Sequence, residues 1–536
     1  ARRDVPGAGR EVSLATGTLA RAGLVVSVAV FASRVLGWLR VVVITTTFGA
    51  SPDLDAYFAA FRVPDLIFQL VAAGALGTAL VPVLSGLLAH DEDARAWHVV
   101  SVVGNLMLVA LVVLVGVFEV AAPAIVPLIT PDYTASQLEL TVELTRLMLL
   151  SPLFLAVGAV ASSALNAKGW FVAAATGAVL YNLAIIAAAV LLAPVMGVQA
   201  LAVGVVAGAF LTLLVQIPQL VRGGFRYEPT LRLHDPAARE ALLLMAPRAF
   251  GLGVTQITFL VNTSLATTLG VGALTAYNVA FTILQIPIGI IGVPLGIVLL
   301  PSLSRAAALG QTDEFGQLIT RALRLLLYVM LFLTAVLIAI RVQLVTVLFS
   351  YGKFDLAAID LTTDALLFFL FGLAGHSLIV VLARAFYAAK DTRMPVIAAV
   401  LSVGVNVVVS VVTVGRLGLA GLALGIAAGA WFESLLLLGL LARRDPRFRP
   451  GAMARAALLD GVGAVLSGAA AWLVTAGAAA AGLSATAKLV DVFVGGAAFA
   501  AAAVVFLIYS RVLHLPELAG SLAIARSATR RLASLA

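Results

Sequence analysis

Gly197-Val-Gln-Ala-Leu-Ala-Val-Gly-Val-Val-Ala-Gly-Ala209 returns about 220 residues later as Gly418-Leu-Ala-Gly-Leu-Ala-Leu-Gly-Ile-Ala-Ala-Gly-Ala430, with seven identities. A second pair keeps the same order: Ala75-Leu-Gly-Thr-Ala-Leu-Val-Pro-Val-Leu-Ser85 against Pro294-Leu-Gly-Ile-Val-Leu-Leu-Pro-Ser-Leu-Ser304. Asn182 and Asn406 also fall at equivalent places in this register. Chance likeness between Gly/Ala/Leu-rich segments would not preserve collinear order, so the chain reads as two copies of one unit.

The composition says where those copies reside. Of 536 residues 62% are hydrophobic and 11% charged, and mean hydropathy is +1.11, far from the make-up of a soluble domain. Apolar stretches of spanning length recur from Leu19 to Val512. In lipid they must be helices, and the alternation of a membrane barrel is absent. Fourteen spans are expected, at about 19–47, 55–88, 98–122, 138–165, 170–194, 198–221, 240–270, 273–304, 318–346, 358–386, 393–414, 418–441, 453–481 and 485–511. Six spans separate the copies. The expected architecture is therefore an all-α polytopic membrane protein with two pseudo-symmetric six-helix lobes in the same orientation, followed by a C-terminal helix pair. Its segments are a cytoplasmic N-terminal segment (1–18), an N-lobe (19–222), a cytoplasmic linker (223–239), a C-lobe (240–442), the helix pair (443–512) and a basic cytoplasmic tail (513–536).

A net charge of +8 could suggest nucleic acid, but the basic residues lie between apolar spans rather than in one patch. No nucleic-acid partner is expected; the charges are topology signals. Arg2, Arg3, Arg10, Arg95, Lys168, the linker, Arg305, Arg324, Arg384, Arg393, Arg443, Arg455 and the tail with Arg526, Arg530 and Arg531 fall on one side. The opposite connections 48–54, 123–137, 195–197 and 271–272 carry no Lys or Arg, and the later ones hold only Lys353, Arg416 and Lys488. By the positive-inside rule both termini are cytoplasmic. The chain has no cysteine, which excludes thiolate chemistry, and its five histidines show no zinc spacing. No cofactor or metal is expected.

Charge within a span is costly and marks function by default. The first span carries Ser33-Arg-Val-Leu-Gly-Trp-Leu-Arg40, and the second carries Asp55-Ala-Tyr-Phe-Ala-Ala-Phe-Arg-Val-Pro64. Asp55 and Arg62 lie two helical turns apart on one face, about 10 Å along the axis. Arg34 and Arg40 differ by about 120° in direction, so a shared ligand would need a bend near Gly37. Pro64 can open the second helix and free a carbonyl beside Arg62. Together these residues suit a phosphate-bearing ligand, which the guanidinium fork matches. The structural alternatives are ion pairs of Arg34 or Arg62 with Asp55 or Glu433, and interfacial placement of Arg40, Arg146 and Arg248.

Ser33-Arg-Val-Leu-Gly37 with Arg40, Phe48-Gly-Ala50, Asp55-Ala-Tyr57, Pro64, Gly74-Ala75 and Val81-Pro82 follow in order the N-terminal pattern of the MurJ (MviN) lipid II flippases of the MOP exporter superfamily. Pro247, Gly251, Gln256-Ile257, Asn262 and Gly296 to Ser304 resemble that family's second-half pattern. The resemblance covers essentially every span. It implies a central cationic cavity, a final helix pair forming a groove for a polyprenyl tail, and movement of lipid II from the cytoplasmic to the outer leaflet by alternating access. Carried over singly, Arg34 and Arg40 match first-helix cavity arginines, Asp55 the second-helix acid and Arg62 a basic position, with Ser33 beside them. An arginine usual near the end of the second helix aligns with Phe68 and one on the eighth with Thr282, while usual acids align with Ala73 and Gln285. The cavity is therefore less charged, and another polyprenyl-pyrophosphate glycan is a competing substrate.

Some family members hold sodium in the second lobe. The matching positions here are Asn262, Asn406 and Ser410, a neutral set that implies weak ion binding or plain interhelical hydrogen bonding. The resemblance further implies a bacterial inner membrane location, transport driven by membrane potential or an ion gradient, contact with membrane lipids and association with cell-wall synthesis proteins. A MATE-like exporter would need an acidic cavity. A membrane enzyme acting on lipid-linked sugars would need carboxylates or histidines in large outer loops, where the longest, 123–137, has only Asp132 as a charged side chain. The expectation is a transporter rather than an enzyme.

Overall fold

The structure, a computed structural model, describes residues 28–29, 31–70, 75–444, 448, 450–483 and 488–520. Segment 1–18, Ala73 and the tail arginines Arg526, Arg530 and Arg531 lie outside these, as does the side chain of Arg248. The described elements are all helical. In chain order they are α1 (Phe31–Phe48), then α2 (Pro52–Ala60), α3 (Arg62–Phe68), α4 (Ala75–Ala89), α5 (Asp93–Ile129), α6 (Ala135–Met148), α7 (Ser151–Ala167), α8 (Val172–Leu191), α9 (Ala193–Met196), α10 (Gln199–Leu214) and α11 (Ile217–Arg222). There follow α12 (Pro236–Thr267), α13 (Ala273–Pro287), a π-helical turn (Ile288–Gly292), α14 (Val293–Ala308), α15 (Thr312–Ala339), α16 (Arg341–Phe349), α17 (Leu356–Phe371) and α18 (Leu373–Ala388). The last are α19 (Arg393–Leu417), α20 (Leu419–Arg444), α21 (Pro450–Ala480) and α22 (Lys488–Val512).

Eleven helices, or twelve with the bent pair α17–α18, are long and apolar enough to span a membrane among the described residues. The two remaining expected spans, 55–88 and 240–270, coincide with helical segments that do not meet that test. The first is broken. Pro64 has no N–H to give the Ala60 carbonyl, and α2 ends at Ala60, one residue before the turn at Phe61 and two before Arg62. The second is the continuous helix α12. By helix length and hydropathy the described residues thus support eleven or twelve spans and do not confirm the expected total of fourteen.

The chain divides into two compact units, residues 1–260 and 261–536. In the first, α2 packs on α6, α4 on α7 and α8 on α10; in the second, α13 packs on α17, α14 on α18 and α19 on α20. The recurrence of these three pairings is the packing counterpart of the sequence repeat. Gly197 and Gly418 adopt nearly the same left-handed conformation, φ 62°, ψ −141° and φ 56°, ψ −133°, where α9 and α19 turn into the next helix.

The close helix pairs also correct one register. A Cβ at Gly204 of α10 would meet Ile185 and Ala188, and one at Gly208 would meet Tyr181. A Cβ at Gly425 of α20 would meet Asn406 and Ser410, and one at Gly429 would meet Ser402 and Asn406. By these contacts Asn406 corresponds to the Ala184–Ile185 stretch rather than to Asn182. The identity of two asparagines misled because similar apolar sequences fix the rotation of a helix poorly, whereas glycine contacts fix it to within a residue.

The expected sorting of charge appears at one end of each unit. Lys168 Nζ donates to Asp93 Oδ1 (2.7 Å) and to the Gly223 carbonyl (3.1 Å), and Arg95 Nε donates to Asp235 Oδ2 (2.7 Å). The linker lies along α5: Asn105 Nδ2 donates to the carbonyls of Glu228 and Thr230 (2.8 and 3.0 Å), while Tyr227 donates to Asn105 Oδ1 (2.8 Å). In the second unit Arg444 pairs with Asp391.

Candidate functional site

In the first unit α1 runs unbroken past Gly37, so Arg34 and Arg40 point in different directions. Arg34 is exposed. Arg40 is half-buried, its guanidinium 6.0 Å from the centroid of the Tyr181 ring on α8. Electrostatic coupling also links Arg40 to Tyr57 on α2. The Ser33 carbonyl accepts from Asn182 Nδ2 at 3.4 Å, which ties α1 to α8 beside these arginines.

Asp55 occupies the first turn of α2, where Ser51 caps the helix by accepting from the Leu54 N–H (3.3 Å). It is only 2% exposed. The positive end of the helix favours a carboxylate there, and the field of Asp55 reaches Tyr133 in the loop before α6.

Arg62 opens α3, with its guanidinium 5.4 Å from the Phe259 ring centroid on α12. One turn later stands Asp65, which residue-type reasoning passed over. Its Oδ2 accepts from Gln256 Nε2 (3.0 Å) and its Oδ1 from Gln69 Nε2 (3.4 Å), and it is electrostatically coupled to Arg62. The i,i+3 spacing of Arg62 and Asp65 was a usable signal. The partner on α12 was not legible. Phe68 packs against the apolar cluster of Val63, Ile67 and Leu80.

Arg146 lies elsewhere. Its Nε donates to the Glu119 carbonyl (3.1 Å) and stands 3.8 Å from the Glu119 carboxylate, both side chains being exposed. This contact holds Arg146 at the surface of the unit, away from Arg40 and Arg62. Glu433 lies near Ser402, whose Oγ donates to the Gly429 carbonyl (3.1 Å), inside the second unit.

The second unit brings Asn262 and Asn406 together: Asn262 Nδ2 lies 3.4 Å from Asn406 Oδ1 and 3.3 Å from the Tyr277 hydroxyl. Ser410 follows Asn406 by one turn and is fully buried. Asn262 Oδ1 and Ser410 Oγ are buried without a hydrogen-bond partner. Two neutral oxygens and no carboxylate offset the desolvation of a sodium ion poorly. The set fits a polar contact between α12 and α19 better than a resident ion. A separate cavity of about 400 Å³ lies where α14, α15, α18 and α20 end, lined by Phe315, Phe386, Leu441 and Arg444.

Spanning helices in two internally similar units, with arginines held against aromatic faces, define a multi-pass membrane protein of the transporter class. The family model described as lipid II flippase MurJ matches residues 44–489, and the chain belongs to that family. It is 35% identical over 463 residues to the lipid II flippase MurJ of Burkholderia cenocepacia, covering 85% of this chain and 90% of that one. It is 28% identical to the probable lipid II flippase MurJ of Vibrio cholerae, covering 85% and 89%. Among solved structures, an inward closed lipid II flippase MurJ matches with TM-score 0.76 at 21% identity, covering 92% of this chain and 99% of that one. An inward-facing multidrug resistance MATE family transporter of the MOP superfamily matches with TM-score 0.64 at 18% identity, covering 79% and 96%. These two likenesses establish the fold alone.

Proposed function

We propose that the protein is a flippase that carries lipid II, a polyprenyl-pyrophosphate-linked peptidoglycan precursor, from the cytoplasmic to the outer leaflet of the bacterial inner membrane. The observation that carries this reading is the family match along residues 44–489. Arg34, Arg40 and Arg62 engage the pyrophosphate, with Ser33 and Asp55 shaping the ends of their helices. Aromatic backing suits Arg40 to this work, because the Tyr181 ring face orients its guanidinium while leaving the N–H edge for phosphate oxygens.

The physical task is to move a polar head through hydrocarbon while its tail remains in lipid. Alternating access accomplishes this without lipid-linkage chemistry, so the protein acts as a transporter and not an enzyme. The helix pair α21–α22 serves as the tail groove. Both termini are cytoplasmic, as the sorted basic residues require. The membrane potential drives the outward step, at about 2.3 kcal/mol per net charge per 100 mV. No step depends on a sodium ion at Asn262, Asn406 and Ser410.

A second substrate, another polyprenyl-pyrophosphate glycan, is favoured by Phe68 and Thr282, which stand where the family usually has arginine. Thr282 Oγ1 is spent on the Asn278 carbonyl (2.8 Å). The test is replacement of a depleted, essential MurJ by this chain, with and without Arg34→Ala, together with lipid II translocation in vesicles. Rescue by the wild type and its loss in the variant support the reading. No rescue combined with no translocation by folded protein overturns it, and a gain in cationic-drug resistance points to MATE-like export.

A further inference from the structure

The anion site contains an anion of its own. Arg62 and Asp65 are three residues apart on α3, about 4.5 Å along the axis and 60° apart in direction. Phe259 and Gln256, the residues they meet, have the same spacing on α12. The helices thus share two rungs, the Arg62 guanidinium over Phe259 (5.4 Å) and the Gln256 amide on Asp65 Oδ2 (3.0 Å). Gly253, one turn from Gln256, leaves room for the Leu70 side chain: a Cβ there would lie 2.4 Å from Leu70 Cδ2.

Asp65 therefore has the surroundings of a bound phosphate oxygen: a guanidinium one turn away and two amide N–H donors, Gln256 and Gln69. Its field also extends to Tyr181, the ring behind Arg40.

We infer that Asp65 is an internal counter-anion for Arg62, a positioning residue that a pyrophosphate-bearing ligand must outcompete and that helps to expel the ligand afterwards. The inference rests on the proposed role of Arg62 in anion binding and adds to it. A carrier must bind well enough to load and weakly enough to release. It must also ignore membrane phosphodiesters, which carry one charge each and outnumber any pyrophosphate lipid. A carboxylate one helical turn from Arg62 sets that threshold: a phosphodiester brings no more charge than Asp65 does, whereas a pyrophosphate diester brings two. The Asp65 carboxylate lowers the net charge of the helix that carries Arg62, which favours release.

The experiment is binding of a farnesyl-linked lipid II analogue, with phosphatidylglycerol as competitor, to full-length protein in neutral nanodiscs. Asp65→Asn keeps an acceptor for Gln256 and removes the charge. It should tighten analogue binding on the order of tenfold and let phosphatidylglycerol compete at concentrations that leave the wild type unaffected. Asp65→Glu, which keeps the charge, should show no such gain, and neither should Gln256→Leu, which removes the rung alone. In an Arg62→Ala background the gain from Asp65→Asn should vanish. Unchanged or weaker binding by folded Asp65→Asn, with Arg62→Ala still weakening the wild type, overturns the counter-anion. Indifference of the wild type to Arg62→Ala overturns the anion role of Arg62 itself. Melting temperatures of all variants identify any that fail to fold.

Discussion

Arg40 illustrates how much one side chain depends on its neighbour. A guanidinium over Tyr181 keeps its planar face occupied and its edge available, a geometry that lysine does not reproduce. Arg40→Lys should therefore lower lipid II translocation in vesicles by about tenfold, approaching the loss in Arg40→Ala, whereas Tyr181→Leu should lower it by about threefold. A result in which lysine fully substitutes would mean that Arg40 supplies charge alone. Asp391, between α18 and α19, offers a pH test. Partial burial opposes its ionisation, but hydrogen bonds from Arg444 and from the N–H groups of Met394 and Arg393 outweigh it and hold the carboxyl below its usual range. A depressed carboxylate stabilises the fold above the ordinary carboxylate pKa, about 3.9, and that contribution is lost as pH falls through the lower folded value. Asp391→Asn should thus lower the melting temperature at pH 7, with the difference closing below about pH 4; an equal difference at both pH values would exclude the ionic contribution.

At the scale of helices, the close pairs stand or fall with glycine. A Cβ at Gly208 would lie 2.9 Å from the Tyr181 carbonyl oxygen and 3.1 Å from its Cα, backbone atoms that a rotamer change cannot move. Gly208→Ala should cost about 1–3 kcal/mol, read as a lower melting temperature in detergent, while Gly116→Ala, with no atom within 4 Å, should be neutral or slightly stabilising. The C-terminal helices are held to α15 by another device. Arg324 Nε donates to Glu517 Oε1 at 2.6 Å, Tyr328 donates to Ser510 Oγ at 2.8 Å, and Glu517 is only 6% exposed. Removal of the arginine strands a buried carboxylate. Arg324→Ala should therefore destabilise the protein more than Arg324→Ala/Glu517→Gln, and protease sensitivity of the segment after α22 should rise in the single variant first.

For the whole molecule, the separation of basic and non-basic connections predicts sidedness, and the absence of cysteine allows a clean measurement. Asp132→Cys, in the exposed loop between α5 and α6, should react with a membrane-impermeant maleimide in intact cells. Arg232→Cys, in the linker along α5, should react only after permeabilisation. Labelling in the opposite order would invert the proposed topology and with it the direction of transport.

Much of this protein was legible before any coordinate. Hydropathy and charge add up residue by residue, so the spans, the sorting of basic connections and the repeat of Gly197–Ala209 in Gly418–Ala430 could be read directly. The break before Arg62 was also local, because a proline acts on the carbonyl four residues behind it. What joins helices far apart in sequence was not readable. That Arg40 leans on Tyr181, that Asp65 meets Gln256, that Arg146 turns to Glu119 and that the Ala184–Ile185 stretch corresponds to Asn406 all depend on how each helix is rotated and how closely its neighbour approaches. A run of Ala, Val, Leu and Gly offers many near-equivalent rotations, and only packing in three dimensions selects one.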